Sequence, residues 1–358
     1  MDGWRAGRVE ATTPHKKSRR SERMRAMMEE THGAPEVLRV SEQPIPEPAP
    51  GQVLIRVRAA GVNRADALQR RGYYPPPPGV SSIYGLEAAG TVVAVGAGVS
   101  PQLVGSPVAA LLAGGGYAEY VAVDARHTFG VPEGMSFAEA ACLPEVAATV
   151  YSNLVLTCGM SLDAAAHRAS GTSVLIHGGA GGIGLHAVQL AKAVGARVFA
   201  TVGTGAKADS VRAAGAEPII YSELSFREVI AEKTSGVGVN YILDVVGGAY
   251  LDDNLHSLAT GGHLAIIGLQ GGAKAQVNLG LMLTRRLSVH ATSLRTRSAD
   301  EKARIMAGVR QQVLPLVESG AIRANLDRTF ALEQAARAHT YFDSGEHRGK
   351  IVLTLGED

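Results

Sequence analysis

The chain has 358 residues, 46% of them hydrophobic and 19% charged, with a formal net charge of +2. That is enough apolar material for two cored domains, and it excludes a disordered chain. Two cysteines, Cys142 and Cys158, exclude a disulfide framework or a cysteine-rich zinc site. The apolar runs Val239–Val246 and His263–Ile267 fall far short of the roughly 18 residues of a membrane span. A soluble, cytoplasmic protein without a membrane partner is expected.

The charge is unevenly spread. Residues 1–25 carry eight Lys/Arg against three acids, a local +5, which leaves −3 for the remainder. A mildly acidic body gives no electrostatic footprint for nucleic acid. Residues 1–23, with Lys16-Lys17-Ser18-Arg19-Arg20 and no apolar segment, read as a disordered basic extension and not as a secretory signal. The alternative is a basic arm for nucleic acid. Trp4, the only tryptophan, lies in this stretch.

From Met27 the pattern is β-rich. Val53–Arg58 reads as a strand after the Pro-rich turn Pro44–Gly51, and Gly90–Val95 and Tyr117–Val123 follow between Gly/Pro clusters. Near Pro144 the pattern changes. A short surface helix is expected over Met160–Ser170 and an apolar strand over Ser173–His177. Leu185, Val188, Ala191 and Val194 then recur at helical spacing. Strands at Arg197–Val202 and Glu217–Tyr221 alternate with helices at Ala206–Ala213 and Phe226–Glu232. Further strands are expected at Val239–Val246, His263–Gly268 and Leu287–Thr292, then helices at Ala299–Ser319 and Leu332–Asp343, and a closing strand at Ile351–Leu355. Alternating strands and helices joined by short Gly turns predict an α/β fold, a doubly wound parallel sheet with helices on both faces.

Gly179, Gly181 and Gly184 form G-x-G-x-x-G between a predicted strand and a predicted helix, the context a dinucleotide-binding turn requires. Glycine lets the backbone approach a pyrophosphate, and the helix N-terminus, with Gly182 and Ile183, supplies N–H donors. A carboxylate about 20 residues on would hold the ribose 2′-hydroxyl of NAD. That position is Gly203, within Thr201-Val202-Gly203-Thr204-Gly205-Ala206-Lys207, so no carboxylate repels a 2′-phosphate. Thr204 offers a hydrogen bond, Lys207 a charge, and Tyr221 closes the next strand; NADP(H) is the expected cofactor. Lys207 also reads as an ordinary first-turn lysine. The turns at Val246-Gly247 and Gly268-Leu269 end parallel strands, where ligands bind in open α/β sheets.

Gly61-Val62-Asn63-Arg64-Ala65-Asp66, Gly85-Leu86-Glu87-Ala88-Ala89-Gly90, Leu143-Pro144-Glu145 and His177–Gly184 resemble the medium-chain dehydrogenase/reductase superfamily, and more narrowly its zinc-free quinone oxidoreductase branch. Gln69-Arg70, Tyr74 with Pro75–Gly79, and Gly349-Lys350-Ile351-Val352-Leu353 are closest to the tumour-suppressor-inducible quinone oxidoreductase subgroup. The resemblance spans about residues 27–358. It implies a GroES-like β-rich catalytic domain over 24–147 and 288–358, with a Rossmann domain, 148–287, inserted in it.

Zinc-dependent relatives place Cys where Asn63 stands and His where Leu86 stands. Zinc needs three or four N, S or O ligands, the front half offers only Glu87, and the eleven histidines look scattered with no close pair. No metal is expected. Without a Lewis acid at that position, an acceptor that spreads developing charge over a π-system, such as a quinone or enone, suits the site. The resemblance implies that Asn63 and Tyr74 line the acceptor pocket, with the Asn63 amide donating to developing negative charge. Asn63 also reads as a turn asparagine, Tyr74 as a rigid-loop aromatic, and Asp66 as a helix cap. By resemblance, Thr149 approaches the nicotinamide amide, Ser293-Leu294-Arg295 returns beside the cofactor, Asn63 and Lys350 also contact it, and His347, before Gly349-Lys350, reaches the adenine-side phosphate, a position usually held by Asn. A buried, backbone-bonded threonine is the other reading of Thr149.

The expected activity is NADPH:quinone oxidoreduction. The alternatives are an NADPH-dependent enone or enoyl reductase and a low-turnover NADPH-binding sensor. The resemblance implies a homodimer or homotetramer formed by edge strands of the cofactor domain, over Gly261–Gly268 and Leu287–Thr292.

Overall fold

A computed structural model describes residues 22–356. Most of the basic extension, residues 1–21 with Trp4, lies outside the described residues. Arg23 does not: it opens a strand, β1 (Arg23–Met28), paired antiparallel with β2 (Arg39–Pro44). The expected disorder through residue 23 is corrected there. Met24, Ala26 and Met27 point into the core, which fixes that strand against the body.

The β-rich part is a seven-stranded sheet of β3 (Gln52–Gly61), β4 (Glu87–Val95), β5 (Pro107–Leu111), β6 (Tyr120–Asp124), β7 (Thr128–Gly130), β14 (Leu326–Ala331) and β15 (Lys350–Thr354). The late strand β15 pairs antiparallel with β3, so early and late segments of the chain build one sheet. In sequence between them lie β8 (Ser173–Ile176), β9 (Arg197–Val202), β10 (Glu217–Ile220), β11 (Val239–Asp244), β12 (Leu258–Ile266) and β13 (Ser288–Ala291). These form a parallel sheet in the order β10-β9-β8-β11-β12-β13. The order reverses between β8 and β11, the crevice where doubly wound sheets take their ligands.

The helices that matter for the site are α1 (Arg64–Arg70), α2 (Phe137–Ala140), α3 (Pro144–Val150), α4 (Ala164–Ser170), α5 (Gly182–Ala193) and α6 (Gly205–Ala213). Only 164–170 of the expected 160–170 helix forms, capped by the Asp163 side chain and ended by Gly171 at φ 63°. Met160 is instead buried. The helix expected over Ala299–Ser319 is three pieces, with a π-helical turn at Val309–Val313 before Pro315, which has no N–H to continue an α ladder. A second π turn, Tyr151–Thr157, continues α3, and the Tyr151 ring packs so closely on Gly308 that a Cβ there would lie 2.4 Å from it. The helical run Phe137–Thr157 is long and apolar enough to cross a bilayer, but 78% of its apolar window is buried inside the protein.

The histidines are not all scattered. His263 on β12 and His290 on β13 stack with ring centroids 5.6 Å apart and 7° between planes. The absence of any close pair, expected above, is corrected. The strand pairing His263↔Ser288 and Ala265↔His290 makes them neighbours.

His186 on α5 is buried with neither ring nitrogen hydrogen-bonded among the described residues, and burial lowers its pKa to about 4. A buried polar group without partners costs about 1–3 kcal/mol, so His186→Leu should stabilise the protein at pH 7 by about that much. The unfolded histidine takes a proton below about 6.5 while the folded one stays neutral, so native stability falls as pH drops from 6.5 towards 4. The variant lacks that loss, and its advantage should grow by about 2 kcal/mol at pH 5. Urea titrations at pH 7 and pH 5 read it directly; an equal advantage at both pH values contradicts it.

Candidate active site

The turn after β8 is built for close backbone approach. Gly178 sits at φ 67°, Gly179 N–H donates to the Thr201 carbonyl at 2.9 Å, and a Cβ on Gly179 would lie 2.6 Å from Ala200 Cβ. A Cβ on Gly184 would stand 2.3 Å from the Gly178 carbonyl oxygen, so the turn admits only glycine there. Gly181 is the N-cap of α5, whose first residues are Gly182, half-buried Ile183 and Gly184. This is a cradle that side chains would fill, with the α5 N-terminus behind it.

Three strand ends are locked behind that turn by a network that periodicity does not reveal. His177 lies 3.0 Å from Thr201 Oγ1 through Nδ1 and 2.7 Å from Asn254 Oδ1 through Nε2. Asn254 donates to Asp244 at 3.2 Å, and Asp244 accepts the N–H groups of Val246 and Gly247 at 2.7 and 3.0 Å. Burial lowers His177 to about 4 and raises Asp244 to about 6, so the ring is neutral at pH 7 and the hydrogen bonds hold the loop through Val246. Gly268, tight against the Val245 carbonyl, and exposed Leu269 end the next strand beside it.

At the end of β9, Thr204 Oγ1 accepts the Lys207 N–H at 3.4 Å, capping α6. Gly203 lies under the Tyr221 hydroxyl, where a Cβ would approach to 2.7 Å, and Tyr221 is half exposed. Lys207 is more than a first-turn lysine: its Nζ donates to the Gly345 carbonyl across the molecule, and burial lowers its pKa. His347, two residues past Gly345, stacks on Phe342 at 4.8 Å. Burial and then Lys207 hold His347 near pKa 4, and its Nδ1 is buried without a partner among the described residues. Arg64 lies over the other aromatic partner, Phe342, at 5.2 Å. Arg64 has no sequence signal beyond its place beside Asn63.

The two sheets meet at the glycine turn. Gly181 bridges to Gly349, Gly349 N–H donates to the Ala180 carbonyl at 2.9 Å, and the Lys350 side chain covers Gly182. Lys350 then enters a buried charge network: its Nζ donates to Asn63 Oδ1 at 2.7 Å and the Val62 carbonyl at 3.0 Å, and pairs with Glu87 at 2.5 Å. Asn63 Nδ2 donates to Glu87 Oε1 at 2.9 Å, and Glu87 Oε2 accepts the Glu145 N–H at 2.9 Å. Asn63 Nδ2 also lies 3.4 Å from the Gly61 carbonyl. Asn63 also N-caps α1 with Asp66, which bears out the structural reading of Asp66; its carboxylate accepts Asn63 N–H at 2.8 Å and Gly85 N–H at 3.0 Å, and burial raises it to about 6. Asn63 and Glu87 hold an ammonium and Leu86 is apolar, so this donor set does not suit zinc. Glu145 had no assigned role: burial, then the nearby Glu87 charge, push its carboxyl up to about 8, so it holds a proton at neutral pH.

Tyr74 belongs to a different cluster from Asn63. Its hydroxyl lies 3.0 Å from Ser293 Oγ, and the Arg295 guanidinium sits 5.4 Å over its ring. Arg295, buried beside Leu294, donates to the carbonyls of Ala113 at 2.8 Å and Tyr74 at 3.2 Å and to Gln69 at 2.8 Å. These bonds make Arg295 a clamp on the Pro-rich loop. Thr149 is buried on α3; its carbonyl accepts Asn153 Nδ2 at 2.8 Å, and Asn153 Oδ1 accepts the Thr292 hydroxyl at 2.6 Å. Thr149 is thereby tied to the segment that delivers Ser293.

A parallel 3-2-1-4-5-6 sheet with a glycine-only turn at its switch point, joined to a second sheet through the Gly181–Gly349 bridge, defines a two-domain dinucleotide-fold oxidoreductase. Comparison with known proteins agrees. The alcohol dehydrogenase GroES-like domain matches residues 49–133, and the zinc-binding dehydrogenase family matches residues 182–308. A quinone oxidoreductase of Pseudomonas aeruginosa is 33% identical over 90% of this chain and 97% of its own. The chain belongs to the medium-chain dehydrogenase/reductase superfamily. The crystal structure of Escherichia coli quinone oxidoreductase complexed with NADPH is 32% identical, covers 93% of this chain and 99% of that one, and superposes at a TM-score of 0.80. The CurK enoyl reductase structure, 25% identical over 94% of this chain and 100% of that one, superposes at 0.81. The chain spans only 14% of the length of the phthioceranic/hydroxyphthioceranic acid synthases of Mycobacterium tuberculosis, to which it is 35% identical over 86% of its own.

Proposed function

We propose that this chain is a cytoplasmic NADPH-dependent reductase that passes hydride to quinones without zinc at the Asn63 position. What carries the reading is the junction at Gly181 and Gly349, where the glycine-only turn abuts the Lys350–Glu87–Asn63 network, together with a β9 end that bears no carboxylate. End-to-end likeness to quinone oxidoreductases supports the acceptor class.

Gly179, Gly181, Gly182, Ile183 and Gly184 would hold the pyrophosphate, and Gly203, Thr204, Lys207, Tyr221 and His347 the adenosine end. The unpartnered His347 Nδ1 and the cationic Arg64 and Lys207 suit an anion there. Val246, Gly268, Leu269, Thr149, Ser293 and Leu294 would line the nicotinamide end, with Arg295 fixing the Tyr74 loop. When bound, NADPH supplies the hydride. The residues orient the acceptor and exclude water: Tyr74 closes the acceptor side, while Lys350 keeps Asn63 and Glu87 fixed beneath it. Glu145 holds a proton near this network at neutral pH. A quinone spreads incoming charge over its ring and needs no metal to polarise it. β13 leaves a sheet edge for a second copy of the chain, consistent with a homodimer or homotetramer.

A second reading, reduction of enones or enoyl thioesters, is favoured by the likeness to an enoyl reductase and by the short span within the large acid synthases. Absorbance at 340 nm decides between them with NADPH and with NADH, across ortho- and para-quinones, short enones and an enoyl-CoA. The proposal expects quinone turnover with NADPH at least tenfold above NADH. Turnover of the enoyl-CoA or enones alone replaces it with the second reading. Tight NADPH binding without oxidation by any acceptor moves it to a sensor.

A further inference from the structure

We propose that Cys158, His263 and His290 form a binding site for a zinc-class divalent cation on the parallel sheet, apart from the glycine turn and the Lys350 network. Cys158 caps the π turn Tyr151–Thr157, and His263 and His290 stand on the adjacent strands β12 and β13. One ligand atom from each, Sγ and two ring nitrogens, lies within 4.8 Å of the other two. Three elements distant in sequence thus bring one soft sulfur and two imidazoles close together, a donor set that selects zinc-like ions over magnesium or calcium.

The histidine geometry already approaches that of a coordination edge. His263 Nδ1 and His290 Nε2 are 3.3 Å apart. Two nitrogens each about 2.0–2.1 Å from a tetrahedral zinc stand about 3.3–3.4 Å apart. Tyr241 stacks on His263 with centroids 5.9 Å apart and 21° between planes, so the ring is held from the far side while its nitrogen faces His290. Drawing Cys158 to a sulfur–nitrogen edge of about 3.5 Å needs a shift of about an ångström, within reach of a χ1 change. The other cysteine, Cys142, is buried and donates to the Ala138 carbonyl, so it does not complete this set.

The proton balance is defined. Burial raises the Cys158 thiol to about 12, so the free protein holds S–H at neutral pH. The cation forms a bond to the sulfur as the S–H bond breaks, and the proton leaves to solvent. Each imidazole binds the cation through one ring nitrogen, and a tautomer shift moves any N–H to the nitrogen that faces away, with no net proton change. One proton is therefore released per cation at pH 8. Three protein ligands leave a fourth position for water, an open site of the kind that exchanges small ligands.

Cobalt(II) is the spectroscopic probe. The full chain, stripped with a chelator, should bind one cobalt per chain with a thiolate-to-cobalt charge-transfer band in the near ultraviolet and tetrahedral bands in the visible. Zinc should displace it one for one and, in a weakly buffered indicator assay at pH 8, release one proton per zinc bound to metal-free protein. Cys158→Ser should abolish the charge-transfer band, and His263→Asn and His290→Asn should each weaken cobalt binding at least tenfold. His290 is half-buried on the edge strand, so His290→Asn keeps the test alive if Cys158→Ser does not fold. Absence of a charge-transfer band in the wild type overturns the site. So does a band that survives both histidine substitutions at unchanged affinity, which would leave the pair as a hydrogen-bonded stack on the sheet.

Discussion

Lys350→Met is expected to lower stability by about 3–5 kcal/mol, the cost of leaving one partner of a buried ion pair uncompensated. Glu87 is wholly buried, and its carboxylate is answered by Lys350 at 2.5 Å, by Asn63 Nδ2 and by the Glu145 N–H. Without the ammonium the charge stays and two acceptors, Asn63 Oδ1 and the Val62 carbonyl, lose their donor. Lys350→Met/Glu87→Gln should recover at least half of the loss, because the neutral amide removes the stranded charge. Urea unfolding of the three proteins at pH 7 measures both claims; a loss under about 1 kcal/mol in Lys350→Met would show that Lys350 is not what compensates Glu87.

That network also marks where reading the sequence stops. The parallel sheet was legible because its strands are continuous apolar runs and its helices repeat at 3.6 residues, both local signals. The glycine turn was legible because sterics confine those positions, as the 2.3 Å approach at Gly184 demonstrates. Asn63, Glu87 and Lys350 carry no such signal: Lys350 lies 287 residues from Asn63, and only the pairing of β15 with β3 joins them. The type of Asn63 says what its amide offers, while its bonds to Glu87 and Lys350 come from neighbours that only the fold supplies. His263 and His290 looked unrelated for the same reason: strand register made them a pair across 27 residues. Arg295 is a parallel case: its bonds to Ala113, Tyr74 and Gln69, more than 180 residues away, have no local signal.

Lys207→Glu is expected to raise the dissociation constant for NADPH at least tenfold, about 1.4 kcal/mol, and to leave NADH unchanged. The two nucleotides differ only in the 2′-phosphate, so an effect confined to NADPH locates that phosphate beside residue 207. Lys207 stands in the first turn of α6, capped by Thr204, with Gly203 and the Tyr221 hydroxyl alongside and His347 close enough for the ammonium to depress its pKa. Reversing the charge replaces attraction with repulsion towards a dianion, and half-burial weakens solvent screening of both. The variant also breaks the Nζ bond to Gly345, which anchors the loop carrying His347. Lys207→Met separates the two effects, since it loses the same bond without adding a negative charge. If the phosphate contact governs, NADPH affinity falls in the order wild type, Met, Glu while NADH stays level, by fluorescence titration. If the Gly345 anchor governs, both nucleotides weaken equally in Met and Glu, and the cofactor preference must then be set by Arg64 and His347 on the opposite wall.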